Sequence, residues 1–227
     1  MVAALDPDLE LKGSHCSQCL RHIDSAMFLR FPDDPLQTSY CSKTCQSKAR
    51  YEFHNLLFGV DPPFPDYPPT AATPTDKKEN RRAAQEKLVA SLRSSGRIAP
   101  LLVAKLVSRQ ATDVTANLRT STSETTVTTG HAASNEYTLF DHVERLRFLE
   151  LPTPGDEIKV LSDVLETAMP GLEQFISGEK YTVLKGKMAY NVIGICFGDG
   201  RNDKVSEQGS WFYIHMRFDL NVVARVP

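Results

Sequence analysis

The sequence predicts a mainly α-helical protein with a small N-terminal module stapled together by a metal ion. Three observations predict it. Apolar residues recur at three- and four-residue spacing over much of residues 76–196. Four of the five cysteines crowd into residues 16–45, as a C-x2-C pair (Cys16, Cys19) and a C-x3-C pair (Cys41, Cys45). Between these regions lie six prolines from Pro62 to Pro74, a density that neither a helix nor a central strand tolerates.

Taken in order, residues 1–13 read as an irregular lead-in and residues 14–58 as the cysteine module. The second half of the module, "YCSKTCQSKARYEFHNLLFG", predicts a helix from about Ser42 to Leu57 with Gly59 as its stop. Residues 59–75 read as an extended, partly polyproline linker. Asp76 stands three residues before Glu79, a capping-box-like start for a helix to about Ser94 with Leu88, Val89 and Leu92 on its apolar stripe. Gly96 ends it. A second helix spans Ile98 to about Arg119, and Leu101, Leu102, Ala104, Leu106 and Val107 are dense enough to predict burial around much of it. The polar stretch 120–135 lacks periodicity and reads as a surface loop.

From Tyr137 the spacing of Leu139, Val143, Leu146 and Leu149 predicts another helix, broken by Pro152 and Pro154. A helix from Gly155 to Ala168 and a short one near Leu172–Ile176 follow. Tyr181, Leu184, Met188, Val192 and Cys196 fall on one helical face and predict a last helix. The helical region closes at about residue 204, and residues 205–227 form a tail with partial strand alternation.

Composition narrows the function. A net charge of −2 and a pI near 6.3 give no electrostatic bias toward nucleic acid or membrane. The basic cluster of Lys77, Lys78, Arg81 and Arg82 comes without a recognition-helix motif. No apolar run approaches the ~18–20 residues of a membrane span. The start "MVAALDPDLELKG" does not read as a secretory signal. The expectation is an intracellular protein, cytoplasmic or nuclear, whose thiols stay reduced and favour metal over disulfides. Charge is nonetheless segregated: residues 77–109 hold nine Lys or Arg against two Glu, and residues 140–180 nine Asp or Glu against four Lys or Arg. Either the two segments attract one another or face water, or the first is a contact surface for an acidic partner.

The cysteines carry the chemistry. Zn²⁺ takes four thiolates tetrahedrally at about 2.3 Å. The turn Cys16–Cys19 delivers two sulfurs, and Cys41 and Cys45, at the start of a helix, deliver two more; a helix start also favours the thiolate. Four sulfurs leave no open coordination position, so the site reads as structural and not catalytic. His15 and His22 are alternative ligands by proximity in sequence, but with the set already full they read as exposed and neutral. Cys196, within "VIGICFG", reads as core packing rather than a nucleophile. Asn191 fits either a helix-end role or a hydrogen bond near a cofactor. "GDGRND" (198–203) reads as a turn and not a phosphate loop.

The stretch "HCSQC … YCSKTCQSKARYEFH" resembles a MYND zinc finger. That family normally holds two zinc ions in a cross-brace, and the resemblance assigns the first to Cys16, Cys19, Cys41 and Cys45. The second set is not matched: no cysteine lies between Cys19 and Cys41, and Phe58 stands where its last cysteine falls, leaving His54 as an orphan. The resemblance therefore implies one structural zinc.

A MYND finger in a longer chain is similar to the arrangement in SET-and-MYND protein lysine methyltransferases, and "LKGKMAYNVIGICFG" (184–198) resembles the helix-to-strand segment of fungal-type members. This implies a partial SET-like α+β fold, a SET-insert-like region at 76–204, S-adenosylmethionine as the family's cofactor and a protein substrate such as a histone. The family's Gly-rich cofactor segment, its N-H-S-C motif and its catalytic tyrosine are not matched here, so the resemblance implies a relative with an incomplete catalytic apparatus and assigns no catalytic residue. The alternative is a zinc-dependent protein-interaction adaptor, since MYND fingers elsewhere dock proline-rich peptides; the chain's own "DPPFPDYPP" is a further candidate for that surface.

Overall fold

The computed structural model describes residues 2–5, 10, 12–23, 28–61, 74–123, 138–152, 155–171, 176–196 and 211–215, and most of these described residues are helical. The first regular element, β1 (Val2–Ala4), lies in the stretch expected to be irregular. It pairs antiparallel with β3 (Trp211–His215), which pairs antiparallel with β2 (Val192–Cys196), giving a three-stranded sheet in the order β1-β3-β2. The alternation in the tail thus has a strand in it, and β3 supplies the pairing that fixes residues 2–4.

Helix α1 starts as Lys43–Ala49, widens into a π-helical turn over Arg50–His54 and closes with Asn55–Leu57. Its start is set by Ser42, extended at φ −158° and ψ 161°, whose hydroxyl accepts from the Cys45 amide at 3.2 Å. The π turn buries Glu52, Phe53 and His54 in succession. The helix stops as expected: the Phe58 and Gly59 amides both donate to the His54 carbonyl, at 2.8 and 2.9 Å.

Helix α2 (Pro74–Ser95) begins on the proline itself, whose missing N–H costs nothing in a first turn. It ends at Gly96, which takes the left-handed φ of +62°. Leu88, Val89 and Leu92 form its buried stripe and face α5 (Gly155–Ala168), which turns Leu161, Val164, Leu165 and Ala168 inward. Helix α3 (Ala99–Ser123) ends four residues beyond the sequence expectation and reaches into the stretch read as a loop. Leu101 to Val107 are all buried. A helix apolar on every side belongs at the centre, and α3 touches the π turn of α1, β1, α5 and α6 (Gly178–Asn191).

The segregated charge is largely spent inside the fold. Arg97 of the α2–α3 connection pairs with Glu157 of α5 at 2.9 Å, Arg109 with Glu52 of α1 at 3.2 Å, and Lys78 with Asp61 at 2.7 Å. Arg82 and Arg93 donate to the Asp33 and Pro35 carbonyls. The two basic-segment side chains Arg81 and Lys105 are only 1% exposed.

Arg81 joins the module to the helical body. Its Nε donates to the Gly59 carbonyl at 2.8 Å, and its Nη2 to those of Asn55 and Leu56 at 3.0 and 2.8 Å, with Gln85 adding a bond to Gly59 at 3.1 Å. Carbonyls at a helix C-terminus have no intrahelical partner, so a guanidinium from α2 supplies what α1 lacks. Burial lowers the Arg81 pKa to about 10, against the pull of Asp61, which leaves it cationic at neutral pH. Arg81→Lys keeps the charge but loses the planar fork. It is expected to cost about 2 kcal/mol in chemical denaturation, for two lost charge-assisted bonds partly re-formed by the ammonium.

Two expectations in the second half change. Residues 137–149 do not form one helix: α4 (Leu139–Glu144) is short, and Tyr137 lies outside the described residues. The capping box of Thr138 and Asp141 starts it, and Val143 is buried, but Leu149 is 43% exposed. The backbone beyond α4 bonds to α6 instead, through the Leu149 amide to the Gly186 carbonyl at 3.3 Å and the Asn191 side chain to the Arg147 carbonyl at 2.8 Å. Glycine permits that approach, since a Cβ at residue 186 would fall 2.1 Å from the Leu149 carbonyl oxygen. Nor does the last helix run to Cys196. It ends at Asn191, and Val192–Cys196 is strand, in keeping with its β-branched composition. The short helix near Leu172–Ile176, the linker from 62 to 73, the "GDGRND" turn and the polar stretch from 124 lie mostly or wholly outside the described residues. Among the described residues no helix is long and apolar enough to cross a membrane.

Candidate metal centre

The first cysteine pair is shaped by a tight turn. The Leu20 amide donates to the Cys16 carbonyl and the Cys16 amide to the Arg21 carbonyl, both at 2.8 Å. Leu20 adopts φ 63°, a left-handed conformation unusual for a branched side chain; its burial at 6% exposure holds it there. The second pair flanks the N-cap of α1, with Cys41 before Ser42 and Cys45 in the first turn.

Backbone bonds bring the pairs together. The Ser17 amide donates to the Ser39 carbonyl at 2.9 Å, seating the first turn two residues from Cys41, and Leu29 and Tyr40 exchange a pair of bonds at 2.9 Å. Tyr40 is fully buried and packs edge-on against Phe31, with centroids 5.5 Å apart.

The result is the arrangement expected from the spacing. The four sulfurs of Cys16, Cys19, Cys41 and Cys45 lie within 4.8 Å of one another, and all four cysteines are free thiols. Cys19 and Cys41 are 3.5 Å apart at Sγ, and Cys41 and Cys45 3.6 Å. Sulfurs at the corners of a tetrahedron with bonds of about 2.3 Å stand about 3.8 Å apart, so the cage fits one zinc ion. The bare thiols compete. Burial raises the pKa of Cys19 and of Cys45, while Cys41 is lowered because its sulfur neighbours and Ser42 outweigh the effect of burial. Only a cation at the centre holds all four deprotonated. Zinc in this cage would be closed to solvent ligands, supplying stability rather than Lewis-acid chemistry.

His22 is exposed as expected, but His15 is not. His15 is buried, not exposed, at 7%. It forms a β-bridge with His22 and meets its ring edge-on at 5.3 Å, and burial, then the nearby His22, lowers its pKa. Neither belongs to the sulfur cluster.

His54 stays outside the sulfur cluster and faces Asp34. It is 4% exposed, its Nε2 lies 3.5 Å from Asp34 Oδ2, and its ring stacks on Phe31 with centroids 3.9 Å apart. Asp34 organises the loop between the cysteine pairs: it accepts from the Leu36 and Thr38 amides at 2.9 and 3.0 Å and from the Thr38 hydroxyl. Burial opposes its ionisation, but His54, Thr38 and Leu36 together hold its pKa below the usual carboxylate range. The sequence signal for Asp34 was the D-P-x-x-T pattern, an Asp able to bond amides two and four residues on. Beside this pair opens a cleft of about 590 Å³ lined by Phe31, Pro32, Arg50, His54, Phe58 and Val60 among others.

Asn191 takes the helix-end role, donating to the Lys187 and Arg147 carbonyls at 2.8 Å. The backbone of Cys196 ends β2. Comparison with protein-family models, with curated proteins and with solved structures finds no match for this chain.

Proposed function

We propose that this chain is a MYND-type zinc protein, related to the SET-and-MYND protein lysine methyltransferases, that works as a zinc-dependent protein-interaction module inside the cell. The observation that carries the reading is the cage of Cys16, Cys19, Cys41 and Cys45, with its sulfurs within 4.8 Å of one another. Such a closed site supports a binding surface and performs no bond chemistry of its own. On this reading the ion fixes the loop 20–40 against α1, and that loop and helix form the walls of the cleft beside His54.

The cleft favours the adaptor role. Phe31, Pro32 and Phe58 offer apolar and aromatic walls, while Arg50, 5.4 Å from the Phe31 ring centroid, and Asp61 supply polar edges. Aromatic grooves suit a preformed polyproline helix, which loses little entropy on docking. The relation to methyltransferases rests on the sequence resemblance, and with it the expectation of a partial SET-like α+β arrangement around α6 and β2.

Titration calorimetry separates the roles. A proline-rich peptide is expected to bind saturably to the zinc-loaded chain, and Phe31→Ala to weaken it about tenfold, as for loss of one aromatic anchor. S-adenosylmethionine is expected to give no saturable heat. Saturable cofactor binding with a silent peptide would replace the adaptor reading with the enzymatic one.

A further inference from the structure

The two residues between the first cysteines do more than close a turn. Ser17 Oγ donates to Glu10 Oε2 at 2.5 Å, and Gln18 Nε2 to Glu52 Oε2 at 2.9 Å. Both carboxylates are buried, Glu10 at 1% exposure and Glu52 at 8%. Glu52 answers to a cation of α3: Arg109 Nη1 lies 3.2 Å from its Oε1. Burial raises the Glu10 pKa to about 7, against the pull of Lys105, one turn earlier on α3 and 1% exposed. Lys105 Nζ also stands 4.5 Å from the centroid of Phe53 in the π turn.

Four thiolates around a dication leave a net charge of about −2 on a centre in which Cys16 is buried and the other three cysteines are partly exposed. The Glu52 carboxylate beside its first turn would oppose metal uptake. Arg109 offsets that charge. We infer that Arg109 is a positioning residue for the metal centre: through Glu52 and Gln18 it holds the Cys16–Cys19 turn and offsets its charge, so that metal affinity depends on the helical body. The chain from Gln18 through Glu52 to Arg109 is continuous, with contacts of 2.9 and 3.2 Å. Lys48, 60% exposed and 3.9 Å from Glu52 Oε1, is too solvated to replace Arg109.

This inference rests on the zinc reading, and one experiment tells their failures apart. Zinc content and chelator-competition affinity are measured on the full chain, with cobalt substitution as the spectroscopic readout. Arg109→Gln and Gln18→Ala are each expected to weaken zinc about tenfold or more, the usual loss when an outer-sphere partner is removed. Their combination is expected to lose little beyond either alone, since both break one chain. Arg109→Lys is expected to restore most of the affinity, and the thiolate-to-cobalt band displaced in Arg109→Gln returns with it. Gln18 is only partly buried, so its variant reports even if Arg109→Gln folds poorly. A wild-type chain without zinc sinks the metal reading and this one together. One zinc per chain with unshifted affinity in Gln18→Ala overturns the positioning role alone.

Discussion

Cys16→Ser is expected to reduce zinc content from about one ion per chain to a small fraction, and to unfold the first half of the module, residues 14–40. Structural zinc binding in finger peptides is worth about 10–16 kcal/mol at neutral pH, and that free energy is folding free energy. Here the module has little else to hold its first half. Between Cys16 and Tyr40 the described backbone has isolated bridges and turns but no helix or strand. The helical body has its own core in α2, α3, α5 and α6, so the loss is expected to be local, with far-UV helicity largely kept and amide protection lost from residues 14–40. Serine preserves size and hydrogen bonding while removing the soft donor, which separates metal loss from cavity formation. Removing metal from the wild type with a strong chelator is expected to reproduce the variant's exchange pattern. Retention of full zinc by Cys16→Ser, or a pattern unchanged by chelation, would contradict the ligand assignment. Acid acts in the same direction. Binding displaces as many as about four protons from the thiols, so affinity falls steeply as pH falls.

The cage was legible because its information is local. Two short spacings and one N-cap serine fix four sulfurs, and both survive any rearrangement of the rest. The helices of the body were legible for a similar reason: Leu88, Val89 and Leu92 define one stripe, and the Leu101–Val107 run is apolar apart from Lys105. What stayed hidden depends on contacts between distant residues. Asp34 is twenty residues from His54, and their pairing follows from a loop whose path only the folded module sets. Arg81 and Lys105 read as surface charge because burial of a cation is decided by partners, here carbonyls of α1 and the carboxylate of Glu10. The segment after Glu144 has helical spacing, but it gives its backbone bonds to α6. At Val192 a continuous apolar run satisfies helix and strand periodicity alike, and the pairing of β2 with β3 decides the outcome.

Glu157→Ala is expected to destabilise the helical body by about 3–5 kcal/mol, the cost of breaking a buried ion pair from one side. Glu157, 3% exposed, accepts from Arg97 Nη1 at 2.9 Å, Tyr181 Oη at 3.0 Å and Lys185 Nζ at 2.8 Å, and so ties α5 to the start of α3 and to α6. Its loss strands the buried Tyr181 hydroxyl and leaves the Lys185 ammonium, 13% exposed, without its counter-charge. Arg97 matters less because it is 52% exposed and turns to water. For a chain of this size the change corresponds to roughly 10 °C in Tm. Glu157→Gln, which keeps an acceptor for Tyr181, is expected to cost about half as much. The sign of the pH dependence follows from the carboxylate. Burial opposes its charge, but Lys185, Arg97 and Tyr181 hold its pKa below the ordinary 4.5. Its contribution is therefore complete above that value and is lost as the pH falls through the lower folded-state value. The stability gap between wild type and Glu157→Gln should narrow on acidification. Because zinc loss at low pH affects both chains alike, the gap isolates the carboxylate, and a gap that widened toward acid would refute the assignment.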